Sequence, residues 1–224
     1  MARKSRDKFV EERTPAPLHP LTERQAEYIK AINSSEMVVV TGPAGTGKTY
    51  IAATIAADLL RTRKIDKIVL TRPNVAAGKS LGFFPGTLEE KIAPWVVPFT
   101  DVIRKRMGPA AFDIAMKNGD IEIVPFEVMR GRTFDNAFVI LDEAQNTTIP
   151  EMKMFLTRLG ENSITIINGD VAQTDLRETS GLSKVIQMGK KHMLPIKIVE
   201  FQVGDIVRSD LCAMWVKAFL KEGL

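Results

Sequence analysis

The 224 residues contain a single cysteine, Cys212. That excludes an internal disulfide framework and any multi-cysteine zinc site. Two histidines, His19 and His192, are too few for a histidine-rich metal centre. No apolar run approaches the ~18 residues of a membrane helix, and the first residues form no hydrophobic leader. A cytoplasmic protein is therefore expected. A dominant charge is also missing. Lys and Arg number 31 against 27 Asp and Glu, a formal +4, and half of that excess sits in residues 1–13. Clusters at Arg61, Arg63, Lys64 and Lys67, at Arg104, Lys105 and Arg106, and at Lys190 and Lys191 read as solvated faces unless they converge on one side.

What is present is a globular composition, 45% hydrophobic and 26% charged, which suits one large domain. Residues 1–20 are polar, with Pro15, Pro17 and Pro20, and read as a basic, flexible arm. A helix is predicted from Leu21 to Asn33, with Thr22 as N-cap and Gln25 at the reciprocal capping position. After it come short Val- and Ile-rich runs without polar alternation: 37–41, 67–71, 121–124, 137–141, 164–167 and 196–199. Such runs are strands buried on both faces. Helical patterns over 48–63, 88–106, 110–117, 150–159, 181–189 and 209–221 separate or follow them. The alternation predicts one α/β domain over 21–224, a mostly parallel sheet with helices on both faces.

Between the first strand and its helix stands Gly42-Pro43-Ala44-Gly45-Thr46-Gly47-Lys48-Thr49, a phosphate loop of the form G-x-x-x-x-G-K-[ST]. The glycines let the backbone curl so that successive N–H groups point at one phosphate. The helix that opens at Lys48-Thr49-Tyr50 adds the positive end of its dipole. Lys48 reaches the β- and γ-phosphates, and the Thr49 hydroxyl is a Mg²⁺ ligand. Gly42 through Tyr50, with Gln25, form the predicted ATP-binding set. The fourth strand ends in Asp142-Glu143, which places two carboxylates at the carboxyl edge of a parallel sheet, where ligands bind. Asp142 is read as holding the metal through water and Glu143 as taking a proton from attacking water. After the fifth strand, Gln173 is the first choice for a γ-phosphate sensor and Asn168 the second.

In this order, the phosphate loop, Asp142-Glu143-Ala144-Gln145 and Gly169-Asp170-x-x-Gln173 resemble the first motor domain of superfamily 1 helicases. Leu21-Thr22-Glu23-Arg24-Gln25 looks like that group's adenine-reading glutamine element. Thr71-Arg72-Pro73, Ala77 through Gly86 with its Leu81-Gly82-Phe83-Phe84-Pro85-Gly86 core, Glu90-Lys91, Pro94 and Val203 through Ser209 are similar to the PhoH-like family. The resemblance implies a RecA-like ATPase domain that assembles as a homo-oligomeric ring, with a hexamer as the expected size, and acts on RNA or single-stranded DNA. Some relatives carry an added RNase-like domain; none is expected here.

Phosphoryl transfer needs positive charge on the γ-phosphate, and an arginine finger is worth ~10³–10⁵ in rate. With one motor domain in the chain, a neighbouring subunit is expected to supply it across a head-to-tail interface. Arg208 is the first candidate, Arg177 the second and Arg72 the third. The connection 72–98 sets Phe83, Phe84 and Trp95 among Arg72, Lys79 and Lys91. That mixture suits stacked single-stranded bases, or equally core and interface packing. A GTPase would need an Asn-Lys-x-Asp element, which is missing, and a small-molecule kinase would have no use for Glu143. A nucleotide-gated assembly that binds nucleic acid or protein without motor activity remains the alternative.

Overall fold

In the computed structural model, which describes residues 15–73, 88–176 and 178–222, the apolar runs become one six-stranded sheet. The strands are β1 (Met37–Thr41), β2 (Lys67–Thr71), β3 (Ile121–Ile123), β4 (Ala137–Leu141), β5 (Ile164–Gly169) and β6 (Lys197–Glu200). Their order is β3-β2-β4-β5-β1-β6, and every neighbouring pair is parallel. Each strand sits within one or two residues of its predicted place. The lack of polar alternation has the expected cause, because both faces are covered. Val38, Val40, Ile68, Leu70, Phe138 and Ile140 enter one core, while Val39, Val69, Val139 and Leu141 enter the other.

The first core lies under α1 (Glu23–Ser34), α2 (Lys48–Arg61), α3 (Leu88–Met107) and α4 (Pro109–Asn118). Ala52, Ala53, Ala56 and Ala57 give α2 a buried small-residue face, which lets the helix lie close to the sheet and to α3. The second core holds Met152 and Phe155 of α5 (Ile149–Leu156) and Leu182 and Val185 of α6 (Gly181–Lys191). The last helix, α7 (Asp210–Lys221), follows β6 and leaves Leu211, Met214, Trp215 and Phe219 exposed. No helix among the described residues is long and apolar enough to cross a membrane.

The N-cap signals behave as local chemistry dictates. Thr22 Oγ1 accepts from the Gln25 backbone N–H at 3.1 Å. The predicted reciprocal bond is not made, because the Gln25 side chain reaches past Thr22 and accepts from the Leu21 N–H at 2.8 Å. A full capping box appears instead at α5, between Thr148 and Glu151. Of the predicted arm, residues 15–20 are described and lie without regular structure. Leu18 packs against the first core, and the Ala16 carbonyl accepts from Arg106 Nη1 at 2.5 Å.

Candidate nucleotide site

The strand order decides which loops meet. β5 lies between β1 and β4, so the carboxyl ends of β4, β5 and β1 form a continuous edge. Three sequence segments that are far apart in the chain therefore open onto one cavity of ≈ 450 Å³. The phosphate loop forms one wall, Asp142 and Glu143 another, and Asn168, Gly169, Asp170 and Gln173 the floor and rim between them. Arg72, Val207 and Arg208 complete it.

The loop is built by close backbone approach. Gly42 has φ +121°, and a Cβ there would stand 2.3 Å from the Phe201 carbonyl oxygen. Phe201 follows β6 and meets Tyr28 of α1 edge-to-face, ring centres 5.9 Å apart. The loop is thus pinned from the side of β6 and α1. Gln25 adds a second tie: it is buried and its Nε2 donates to the Thr46 carbonyl at 3.0 Å. With its carbonyl on Leu21, this leaves the side chain one N–H and one lone pair for any contact with a base. The Val207 N–H supplies a third tie, donating to the Gly45 carbonyl at 3.0 Å.

Lys48 is almost buried, and its Nζ donates to the carbonyls of Gly42 at 2.6 Å and Pro43 at 2.8 Å. Burial lowers its pKa, while Asp170, Asp142 and Glu143 oppose that shift. Thr49 lines the cavity, and Tyr50, half exposed, stands at its edge.

Asp142 is pushed up to about 6, first by burial and then by repulsion from Glu143, against the pull of Arg72 and a hydrogen bond from Asn168. That bond, Asn168 Nδ2 to Asp142 Oδ1, is 2.6 Å. Glu143 has φ +51°, a left-handed turn that swings it off the strand line. Its Oε2 accepts from Gln145 Nε2 at 2.6 Å, and Gln145 Oε1 accepts in turn from the Asp170 N–H at 3.0 Å. Arg72 faces both acids, with Nη1 3.9 Å from Asp142 and Nη2 3.8 Å from Glu143.

The donor set suits a hydrated magnesium ion. A hard cation that keeps most of its waters needs one or two oxygen ligands and substrate phosphates rather than a protein cage. Asp142 and the Thr49 hydroxyl share the cavity, and no cluster of three or more His, Cys, Asp or Glu able to hold a metal occurs among the described residues. Two buried oxygens at the carboxyl ends of β2 and β5, Thr71 Oγ1 and Asn168 Oδ1, have no protein partner, and water would satisfy them.

The structure brings together Lys48, Thr49, Asp142, Glu143, Asn168, Gln173 and Arg208 around one space. It places Asn168 on Asp142, with its amide committed there. Arg208 and Arg72 both line this cavity in their own chain. A Cβ on Gly45 would touch the Arg208 side chain at 2.7 Å. Arg177, Lys79, Phe83 and Phe84 lie outside the described residues, as do the side chains of Lys91 and Trp95. Sequence reasoning quoted Gln145, Asp170 and Val207 within motifs but gave them no task at the site. Gln145 was visible as a polar residue two positions beyond Glu143. The tie at Val207 is a backbone contact, to which no side chain gives a clue.

The family model for PhoH-like protein matches residues 17–220. Protein PhoH of Escherichia coli is 45% identical over 223 residues, which cover 98% of this chain and 61% of that protein. A PhoH-like protein of Bacillus subtilis is 48% identical over 200 residues, covering 88% of this chain and 62% of its own length. The chain thus spans about three-fifths of these relatives. Among solved structures, the Pif1 helicase from Candida albicans aligns at a TM-score of 0.41 and 16% identity, over 83% of this chain and 40% of that one.

Proposed function

Since the chain belongs to the PhoH-like protein family, we propose that it is a Mg²⁺-dependent ATPase that assembles from identical subunits, as a ring, and acts on RNA or single-stranded DNA in the cytoplasm. The observation that carries the catalytic part is the phosphate loop facing Asp142 and Glu143 across one cavity.

The chain's own groups divide the work. The loop N–H groups and the start of α2 bind the phosphates. Lys48 exchanges the Gly42 and Pro43 carbonyls for phosphate oxygens, which are stronger acceptors for an ammonium group. Asp142 and Thr49 would hold the metal, which would draw charge from the phosphates as the terminal one leaves. Glu143, oriented by Gln145, takes the proton of the attacking water. Gln173, which lines the cavity, would register loss of the terminal phosphate. Arg208 is close enough to its own phosphate loop to lend positive charge in cis. Tyr50 offers an exposed ring where the nucleoside would emerge from the loop. ATP is preferred over GTP in this reading because the chain lacks a guanine-reading element and retains Gln25 beside the loop.

Self-association is supported by the apolar face of α7, where Leu211, Met214, Trp215 and Phe219 stand exposed. A helix this apolar is stable when another surface covers it, and a second copy of the chain is the occupant that a ring supplies.

The test is steady-state hydrolysis per subunit with ATP and with GTP, with and without single-stranded RNA, over a range of protein concentrations. Turnover that rises with both concentration and RNA supports the full reading. Glu143→Gln should keep ATP binding and lower turnover by ~10²–10⁴, and Lys48→Ala should abolish it. An active Lys48→Ala protein would overturn the assignment. Tight nucleotide binding without turnover in the wild-type protein would favour a nucleotide-gated binding assembly instead.

A further inference from the structure

The cavity wall carries Lys48, Arg72 and Arg208 against Asp142, Glu143 and Asp170. Arg72 has a special position among them. It follows β2 directly, and because Thr71 pairs with Leu141, its guanidinium emerges beside the two carboxylates that follow Leu141. The two Nη atoms lie 3.9 Å from Asp142 Oδ2 and 3.8 Å from Glu143 Oε1. The other oxygen of each carboxylate is held by a neutral amide, Asn168 on Asp142 and Gln145 on Glu143. Arg72 therefore bridges two adjacent like charges at the strand end.

The spacing matters. At 3.8–3.9 Å its contacts to these two carboxylates are coulombic and longer than the hydrogen bonds of a bidentate pair. A cation arriving at Asp142 would stand against a guanidinium already there. Like charges at such distances repel in a cavity screened less than bulk water. The guanidinium must then leave the carboxylates, and the strongest new anion within the same cavity is the terminal phosphate that arrives with the cation.

We propose that Arg72 is an exchangeable counter-ion, which holds Asp142 and Glu143 in the nucleotide-free protein and passes to the terminal phosphate when a metal–triphosphate complex enters. The proposal rests on the reading of Asp142 as a metal-holding residue. It gives Arg72 two opposed effects. In the empty site it competes with the metal. In the filled site it favours a triphosphate over a diphosphate, because only the triphosphate offers the oxygen it moves to.

Two binding measurements separate these effects. The first is Mn²⁺ titration of the nucleotide-free protein followed by electron paramagnetic resonance. Arg72→Gln should bind Mn²⁺ about tenfold more tightly than wild type, since the repulsion of one nearby positive charge is removed. The second compares a non-hydrolysable ATP analogue with ADP, both with Mg²⁺. Arg72→Gln should lose about tenfold in affinity for the triphosphate and keep ADP within about twofold. Unchanged Mn²⁺ affinity, or equal loss for both nucleotides, overturns the proposal. Retained ADP binding shows that the variant is folded. If Arg72→Gln does not fold, Arg72→Lys decides by the same pair of measurements, because one ammonium cannot bridge both acids and should shift each value in the same direction by less. Asp142→Asn serves as the separate control. If it leaves Mn²⁺ binding intact, the metal assignment itself is wrong; if it abolishes binding while Arg72→Gln changes nothing, only the counter-ion role fails.

Discussion

Asp142 sits where burial and function pull in opposite directions. Its carboxyl, near 3.8 in an unstructured chain, is pushed up to about 6 in the fold. The unfolded chain therefore releases this proton at a lower pH than the folded one. Stability falls as pH rises from about 4 to about 6 and stays lower above that window. Asp142→Asn keeps the shape and removes the charge. In nucleotide-free protein with a chelator, the variant should melt higher than wild type at pH 7.5, by an amount on the order of 1–3 kcal/mol at ~1.4 kcal/mol per unit. The gain should vanish below about pH 4. A gain that does not change with pH would show that the burial of this charge is not its source. That Lys48, Asp142 and Glu143 would stand at the strand ends was readable from the sequence, because each position depends on neighbours along the chain: a loop, a strand end, a turn. The partner of Glu143 was harder to see. Gln145 is two residues away, yet its amide is held by the Asp170 N–H, which follows β5 and not β4.

At the scale of elements, strand–helix alternation was legible because hydrophobic runs of strand length need no tertiary information. The order of the strands was not written in any local pattern. It follows from which faces pack together, and that order is what inserts β5 between the phosphate loop and the acids. The contact between α5 and α6 shows how tight such packing becomes. A Cβ on Gly181 would lie 2.6 Å from both Met152 Cβ and Thr147 Oγ1 and 2.8 Å from the Thr148 carbonyl oxygen. The Gly181 N–H already donates to the Thr147 carbonyl at 2.6 Å, so the backbone cannot retreat without breaking that bond. Gly181→Ala should cost about 1–3 kcal/mol, as overpacking does. Gly204, with nothing within 4 Å of its would-be Cβ, should accept alanine within ~0.5 kcal/mol. Urea denaturation midpoints of the two variants test the contrast. Similar midpoints would mean that α6 can shift away from α5 at little cost.

At the scale of the whole molecule, α7 is the element whose sequence and surroundings disagree most. Its exposed Trp215 and Phe219 rings lie 5.9 Å apart, an aromatic pair facing water. Replacing both with glutamate should weaken self-association by ~10²–10⁴, the loss of two buried aromatics at about 1.5–3 kcal/mol each, while circular dichroism stays that of the folded chain. Light scattering across protein concentrations reads this directly, and an unchanged particle mass would assign the helix another partner. The helix begins two residues after Arg208, which lines the candidate nucleotide cavity. The tie between Gly45 and Val207 also bears on how the chain reaches its native state. In chain order β1 and the loop after it come well before both strands that flank β1, and before the residue that pins the loop. Parallel pairings between distant segments form slowly and leave edges bare until they close. A nascent chain stopped before residue 207 would hold a complete phosphate-loop sequence and still lack one of the supports that shape it. The arrival of nucleotide affinity during refolding should therefore lag behind the growth of helix signal, and would mark the moment at which the last strand joins the sheet.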